Sequence, residues 1–319
     1  MAESFINVDN LTYSGKEGQE IFSKSIMDLD LRSYGISYMD NLKGKQKLYS
    51  GDVDDVWQPY TCSFTPEGKV SLAESYIEPA AIKVNLEECY DKFWNTYLVE
   101  QTEISLNGGV PQTFSDWFFN NKLQPQMKKE YQEIFWRGDK AYSGSTKKFL
   151  KVIDGIEKQL GASKAVKVTG ATLTVANVVA QVEAAVMAAL GQAAKLEVET
   201  DGYKIFMNYA DVQLLRIALG KLCCGNSTND VFSNYTKDGD KIGVLGFEVV
   251  PTMQSRNVII VGPASNLVLG YDTFDSSIEY RIIDMRQTTG DNAFRVLALS
   301  NIGAGIVLPD LFAVAKPKP

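Results

Sequence analysis

From residue 241 onward the chain reads almost entirely as strand, and any fold must accommodate that run first. "KIGVLGFEVV", "RNVIIVG", "SSIEYRIIDMR" and "NAFRVLALSNI" follow one another, separated by Gly, Asn, Asp and Ser turns. "GIVLPDLFAVAKPKP" adds a last apolar strand and a polar tail. In the third segment apolar Ile278, Tyr280 and Ile282 alternate with charged Glu279 and Arg281, the period-two pattern of a strand covered on one face. A strand-rich body of this kind needs helices from elsewhere in the chain to cover it.

The middle of the sequence supplies them. Residues 86 to 99 read as a short amphipathic helix. Residues 113 to 136 read as a longer one, with Phe114, Trp117 and Phe118 on one face and Met127, Tyr131, Ile134 and Phe135 at helical spacing. Pro125 interrupts it as a kink or a fresh start, and Gly138 ends it. "KKFLKVIDGIEKQL" is a short helical stretch ending before Gly161. In "TLTVANVVAQVEAAVMAAL" Thr174 can cap, and Val175, Val178, Val179, Val182 and Val186 form one stripe. "GYKIFMN" alternates as a strand, and "ADVQLLRIALGKL" returns to helix with Leu214, Leu215, Ala218, Leu219 and Leu222 inward and Asp211 in the first turn.

The first third is different. Residues 1 to 45 lack sustained periodicity and read as an arm ordered by what it lies against. Beyond it, Trp57 to Phe64 and Lys69 to Ile77 flank the turn Thr65-Pro66-Glu67-Gly68 and predict a long hairpin. Its apolar content is too low to bury both faces, so it either frays or leans on a partner. Residues 1 to 100 carry 9 Lys and Arg against 17 Asp and Glu, whereas the remainder is nearly neutral and the whole chain has net charge −7. That acidity disfavours sequence-specific DNA binding and suits either a solvated acidic surface or contact with a basic one, such as one on a neighbouring copy.

The chain contains no histidine, which removes imidazole bases and His metal ligands and with them most common hydrolase and metalloenzyme mechanisms. Cys62, Cys89, Cys223 and Cys224 have no zinc-ribbon spacing and read as buried thiols. "GDKAYSGSTK" lacks the Gly-Lys-Ser/Thr order of a phosphate loop, and Gly303-Ala-Gly305 lacks the third glycine of a dinucleotide fingerprint. Asp52, Asp54 and Asp55 lack calcium-loop spacing, and Asp238-Gly-Asp240 reads as a hairpin turn. No catalytic residue, cofactor or metal site is expected, nor a membrane span or signal peptide.

The order of parts, arm, long hairpin, long helix, α/β unit and returning strands, resembles the major capsid proteins of tailed bacteriophages, those of the Hong Kong 97-type fold. "QPYTCSF" followed by "YIEPAAIKVNLEECYDKFWNTY" is similar to the hairpin and exit helix of capsid proteins from phages of Bacteroidota-type hosts. "EIFWRGDK" and "FLKVIDGI" resemble their Trp-x-Gly-Asp and Asp-Gly-Ile segments, and "GVLGFEV" through "NLVLGYD" their strand-turn-strand. The resemblance implies an α+β fold: an N-arm over 1–45, an E-loop hairpin over 46–84 and a P-domain with its spine helix over 85–144. An α/β A-domain over 145–250, P-domain strands over 251–300 and a C-terminal strand and tail over 301–319 complete it.

The same resemblance implies a non-enzymatic subunit that forms hexamers and pentamers and encloses double-stranded DNA without sequence-specific binding. Its place would be the virion capsid after synthesis in the host cytoplasm, with scaffolding, portal and decoration proteins as companions. Trp57, Tyr60, Phe64, Tyr76, Trp117 and Trp136 are the expected assembly residues. No residue-by-residue match exists for the Lys-Asn crosslink of some members, so none is expected. Three other readings stand beside it: a carboxylate-based glycan-active enzyme, a surface binding module and an encapsulin-like cellular shell.

Overall fold

The computed structural model describes residues 12–14, 31–54, 57, 60, 62, 69–223, 235–238, 241–244, 246–272 and 279–317. Two short strands come first, β1 (Thr12–Ser14) and β2 (Ser37–Met39). Then β3 (Gln46–Asp54) and β4 (Lys69–Ile77) form an antiparallel hairpin whose register runs from Gln46↔Ile77 to Asp54↔Lys69. The first arm of the hairpin therefore precedes the expected Trp57 to Phe64, and the expected turn at 65–68 lies outside the described residues. β5 (Ala80–Cys89) follows, with every second residue turned inward, and then α1 (Asp91–Leu106). The helix expected over 86–99 is thus displaced: residues 80–89 find ten ladder partners in the sheet, and that pairing overrides local helical spacing.

The long aromatic helix forms as α2 (Phe114–Phe118), a π-helical turn (Phe119–Leu123) and α3 (Gln124–Arg137). Thr113 caps its start by accepting from the Asp116 N–H. Pro125 sits in the first turn of α3, where its missing N–H costs least, and the wide π turn absorbs the break. The helix ends at Gly138, which meets Gly155 backbone to backbone: Gly155 N–H donates to the Gly138 carbonyl at 2.8 Å. A Cβ on Gly155 would lie 2.6 Å from the Gly138 nitrogen, so the Trp-x-Gly-Asp and Asp-Gly-Ile segments each need their glycine for this crossing. The Asp154 carboxylate then accepts from the Lys140 N–H at 2.9 Å. Asp139, held below the usual carboxylate range first by the Ala141 N–H and then by Lys158, closes the turn.

After this crossing come α4 (Ile156–Ala162), β6 (Val166–Gly170), α5 (Val178–Lys195), β7 (Tyr203–Asn208) and α6 (Tyr209–Cys223). Gly161 lies inside α4 rather than after it. β8 (Tyr235–Asp238) and β9 (Lys241–Val244) pair antiparallel through Asp238↔Lys241, and residues 239 and 240 of the expected hairpin turn lie outside the described residues. β10 (Phe247–Thr252), β11 (Ile259–Pro263), β12 (Leu267–Asp272), β13 (Glu279–Asp284), β14 (Ala293–Ile306) and β15 (Ala313–Pro317) complete the chain.

The strands form two large sheets. The six-stranded sheet runs β1-β13-β14-β12-β2 with β5 on the other edge of β14, and the seven-stranded sheet runs β6-β15-β11-β7-β10-β9-β8. The strands of residues 251–300, expected as one group, divide between the two sheets. β11 and β15 both belong to the seven-stranded sheet. Their apolar residues face both ways, as a doubly covered sheet demands. Ile260 and Val314, with Phe206 of β7, face the long helix, while Ile259, Val261, Ala313, Ala315, Ile205 and Met207 face α5 and α6.

One core therefore spans both sheets, with the aromatic helix between them. Phe294 of β14 lies 4.9 Å from Phe118, 5.3 Å from Phe114 and 5.1 Å from Tyr90, ring centre to centre. At the other end Trp136 lies 5.2 Å from Phe206, joining the helix to the seven-stranded sheet. Such pairs add about 0.5–1.5 kcal/mol each beyond burial. The second core holds Val178, Val182 and Val186 of the expected stripe fully buried, with Val175 and Val179 half-buried at its margin. Leu215 and Ala218 are buried, Leu214 and Leu219 half-buried, and the Leu222 side chain lies outside the described residues. Asp211 is fully buried and pins a loop, accepting from the Asn257 N–H at 2.7 Å and Arg256 Nε at 2.6 Å. Cys62 and Cys89 are free and exposed, not buried as expected: Cys89 takes an outward position of the alternating strand β5.

Because Phe294 ties the central strand to the helix, Phe294→Ala is expected to cost about 3–5 kcal/mol in urea unfolding. A loss below about 1 kcal/mol would contradict this packing.

Candidate assembly surface

A third, small core forms where the hairpin meets the six-stranded sheet. It consists of Leu42, Leu48, Ile77 and Val268, with Met39 and Val307 at its edge. Beneath it the sheet offers glycine: Gly270 pairs with Gly303, and Gly305 with Val268. A Cβ on Gly303 would come within 2.9 Å of Leu42 Cδ2, and one on Gly305 within 3.1 Å of Leu48 Cδ1. Bare backbone thus makes the seat on which the root of the hairpin rests. The sequence carried a signal for it, two glycines two apart in a strand and so on one face.

Among the described residues of the hairpin next to this root, one face is exposed. Lys47, Tyr49, Glu74 and Tyr76 share its exposed face. Lys47 pairs with Glu74 at 3.0 Å, the Tyr76 hydroxyl donates to Glu74 at 3.2 Å, and Lys45 Nζ sits 4.5 Å over the Tyr76 ring. At the base Glu78 pairs with Lys140 at 3.0 Å, tying the hairpin to the turn after the long helix. Glu74 is held below the ordinary carboxylate range by its hydrogen bond from Lys47, and Glu78 by that from Lys140. Farther out, Trp57 is 97% exposed and Tyr60 91% exposed. Aromatic surface of that size left in water gains by meeting another surface.

Of the expected assembly residues, Trp57, Tyr60 and Tyr76 are exposed, and Phe64 lies outside the described residues. Trp117 and Trp136 are corrected: both are fully buried in the chain's own core. Their helical spacing was the packing signal, since a stripe shared with Phe114, Phe118 and Phe135 turns inward as a unit. Residues missed by the sequence reading are Leu42 and Leu48 with their glycine seat. Among the described residues no group of acids and cysteines is arranged to hold a metal ion, and no helix is long and apolar enough to cross a membrane.

No protein-family model and no curated protein matches this sequence. Solved structures do match in fold. A chain of the satellite phage P4 procapsid that includes the size determination (Sid) protein is 12% identical, with TM-score 0.60 over 97% of this chain and 93% of that one. A chain of the capsid of a native GTA particle is 11% identical, with TM-score 0.53 over 91% and 90%. One from Gordonia phage Cozz is 10% identical, with TM-score 0.52 over 91% and 87%. The architecture is α+β and of the capsid class. More particularly, the chain has the Hong Kong 97-type capsid fold.

Ile77→Ala is expected to cost about 2–5 kcal/mol, with amide protection lost across β3 and β4 before the large core opens. Uniform loss of protection would contradict a separately seated hairpin. The lowered carboxyls give a pH signature. A carboxyl with folded pKa below its unfolded value stabilises above the ordinary carboxylate range, and the effect vanishes as pH falls through the folded pKa. The difference in urea midpoint between the wild type and Glu78→Gln is therefore expected at pH 6 and absent near pH 2.5; a difference independent of pH would contradict the Lys140 pairing.

Proposed function

We propose that this chain is the major capsid protein of a tailed phage, a shell subunit that self-associates as hexamers and pentamers into an icosahedral particle around double-stranded DNA. The observation that carries the reading is a hairpin seated at its root on a small apolar core, with Trp57 and Tyr60 exposed, on a chain of capsid fold. An element that leaves its aromatic side chains in water gains its burial from another copy, and obligate interfaces of shells run to roughly 2,000 Å² and above. In this reading residues 1–45 are the N-arm and 46–84 the E-loop. The aromatic helix is the P-domain spine, and the seven-stranded sheet with α5 and α6 is the A-domain core. Scaffolding, portal and decoration proteins are its companions, the virion capsid its place, and its role is structural rather than catalytic.

Replacing residues 50–73 by Asn-Gly keeps Leu48 and Ile77 in their seat and joins the paired positions Tyr49 and Glu74 by a two-residue turn. The shortened chain is expected to fold with the helical far-UV signal of the full chain and to form no closed particles in negative-stain electron microscopy. Normal particles from it would sink the role given to the hairpin. Trp57→Ser with Tyr60→Ser is the milder version, expected to cut particle yield at least tenfold without moving the urea midpoint.

A further inference from the structure

We infer that the long helix α3 and the turn packed on it form a DNA-phosphate-binding face, the wall that meets the enclosed duplex. The enclosed duplex belongs to the shell reading above, and the inference rests on it in that respect alone. In a chain of net charge −7, residues 122 to 151 carry eight Lys or Arg against three Asp or Glu. The fold gathers much of that excess on one side. Lys129, Glu133 and Arg137 stand four apart along α3 and so share a face. Lys147 reaches Glu133 from the next turn at 2.7 Å, while Arg137 approaches the same carboxylate at 4.0 Å.

Glu133 is buried and already shared between those two cations, so it does not offset the rest. Lys148 and Lys151 follow on a single 3₁₀ turn, where side chains three apart eclipse and point the same way. Lys148 lines a cavity with Lys83 and Glu130, and Glu130 accepts from Gln126 at 2.6 Å. Lys129, Lys148 and Lys151 are exposed and form no ion pair among the described residues. Exposed cations on neighbouring elements with no ion pair to offset them repel one another, and a polyanion relieves that repulsion. The spacing selects no base edge, so the contact is to phosphate and independent of sequence.

The test is binding of the unassembled full-length chain to a fluorescent 20-base-pair duplex of mixed sequence, followed by anisotropy from 50 to 200 mM salt. Each phosphate contact contributes about 0.9 to the slope of log affinity against log salt, so three lysines predict roughly a 40-fold loss over that range. Lys129→Gln with Lys148→Gln and Lys151→Gln is expected to abolish that dependence and leave the urea midpoint in place. Lys164→Gln with Lys167→Gln and Lys195→Gln removes the same charge elsewhere and is expected to keep it. Equal loss in both triple variants, or no binding by the wild type at 50 mM salt, overturns the inference. Failure of the chain to form particles would sink the shell reading without touching this one, because the binding is measured on the free subunit.

Discussion

Burial of one aromatic helix between two sheets is the contact on which the rest of the structure depends. Phe114, Phe118 and Phe294 fix its start to the central strand of the six-stranded sheet, and Trp136 against Phe206 fixes its end to the other sheet. With both ends held, the turn after Gly138 has a set position. Gly155 can then cross it backbone to backbone, and the chain enters the seven-stranded sheet from there. The helix thus converts two sheets of different character, one covered on both faces and one alternating along β5 and β14, into a single framework.

That framework leaves one element largely outside. The hairpin touches it through a small apolar core on a glycine seat and through the Glu78 to Lys140 pair, and then runs outward with its tyrosines and its lysine-glutamate pair in water. Exposed ion pairs are worth little, so the hairpin's direction is set by Leu42, Leu48 and Ile77 at the root rather than by charge along its length.

Much of this was legible in the sequence, and the exceptions have physical causes. The helix over 113–136 and the α5 stripe were readable because their apolar periods run long enough to stand out. β5 was hidden because "LEECYDKFW" carries helical spacing locally, while its strand character comes from ten partners some two hundred residues away. The assignment of β11 to the seven-stranded sheet was hidden for the same reason, since an apolar run does not say which of two sheets it joins. Of the candidate assembly residues, the two tryptophans in helices were packing, and those on or beyond the hairpin strands are exposed where described. Aromatic residues inside a period belong to a core, and those outside one are available to a partner.

Identity to the matched capsid chains is 10 to 12%, so what relates this protein to them is architecture, not side chains. A fold shared at that distance is maintained by its framework, which here is the buried helix. The most direct measurement of whether this chain builds a shell is negative-stain electron microscopy with light scattering of the protein expressed alone and with a candidate scaffolding protein. Closed particles or six-fold rings are the predicted result. A strictly monodisperse monomer under both conditions would contradict it.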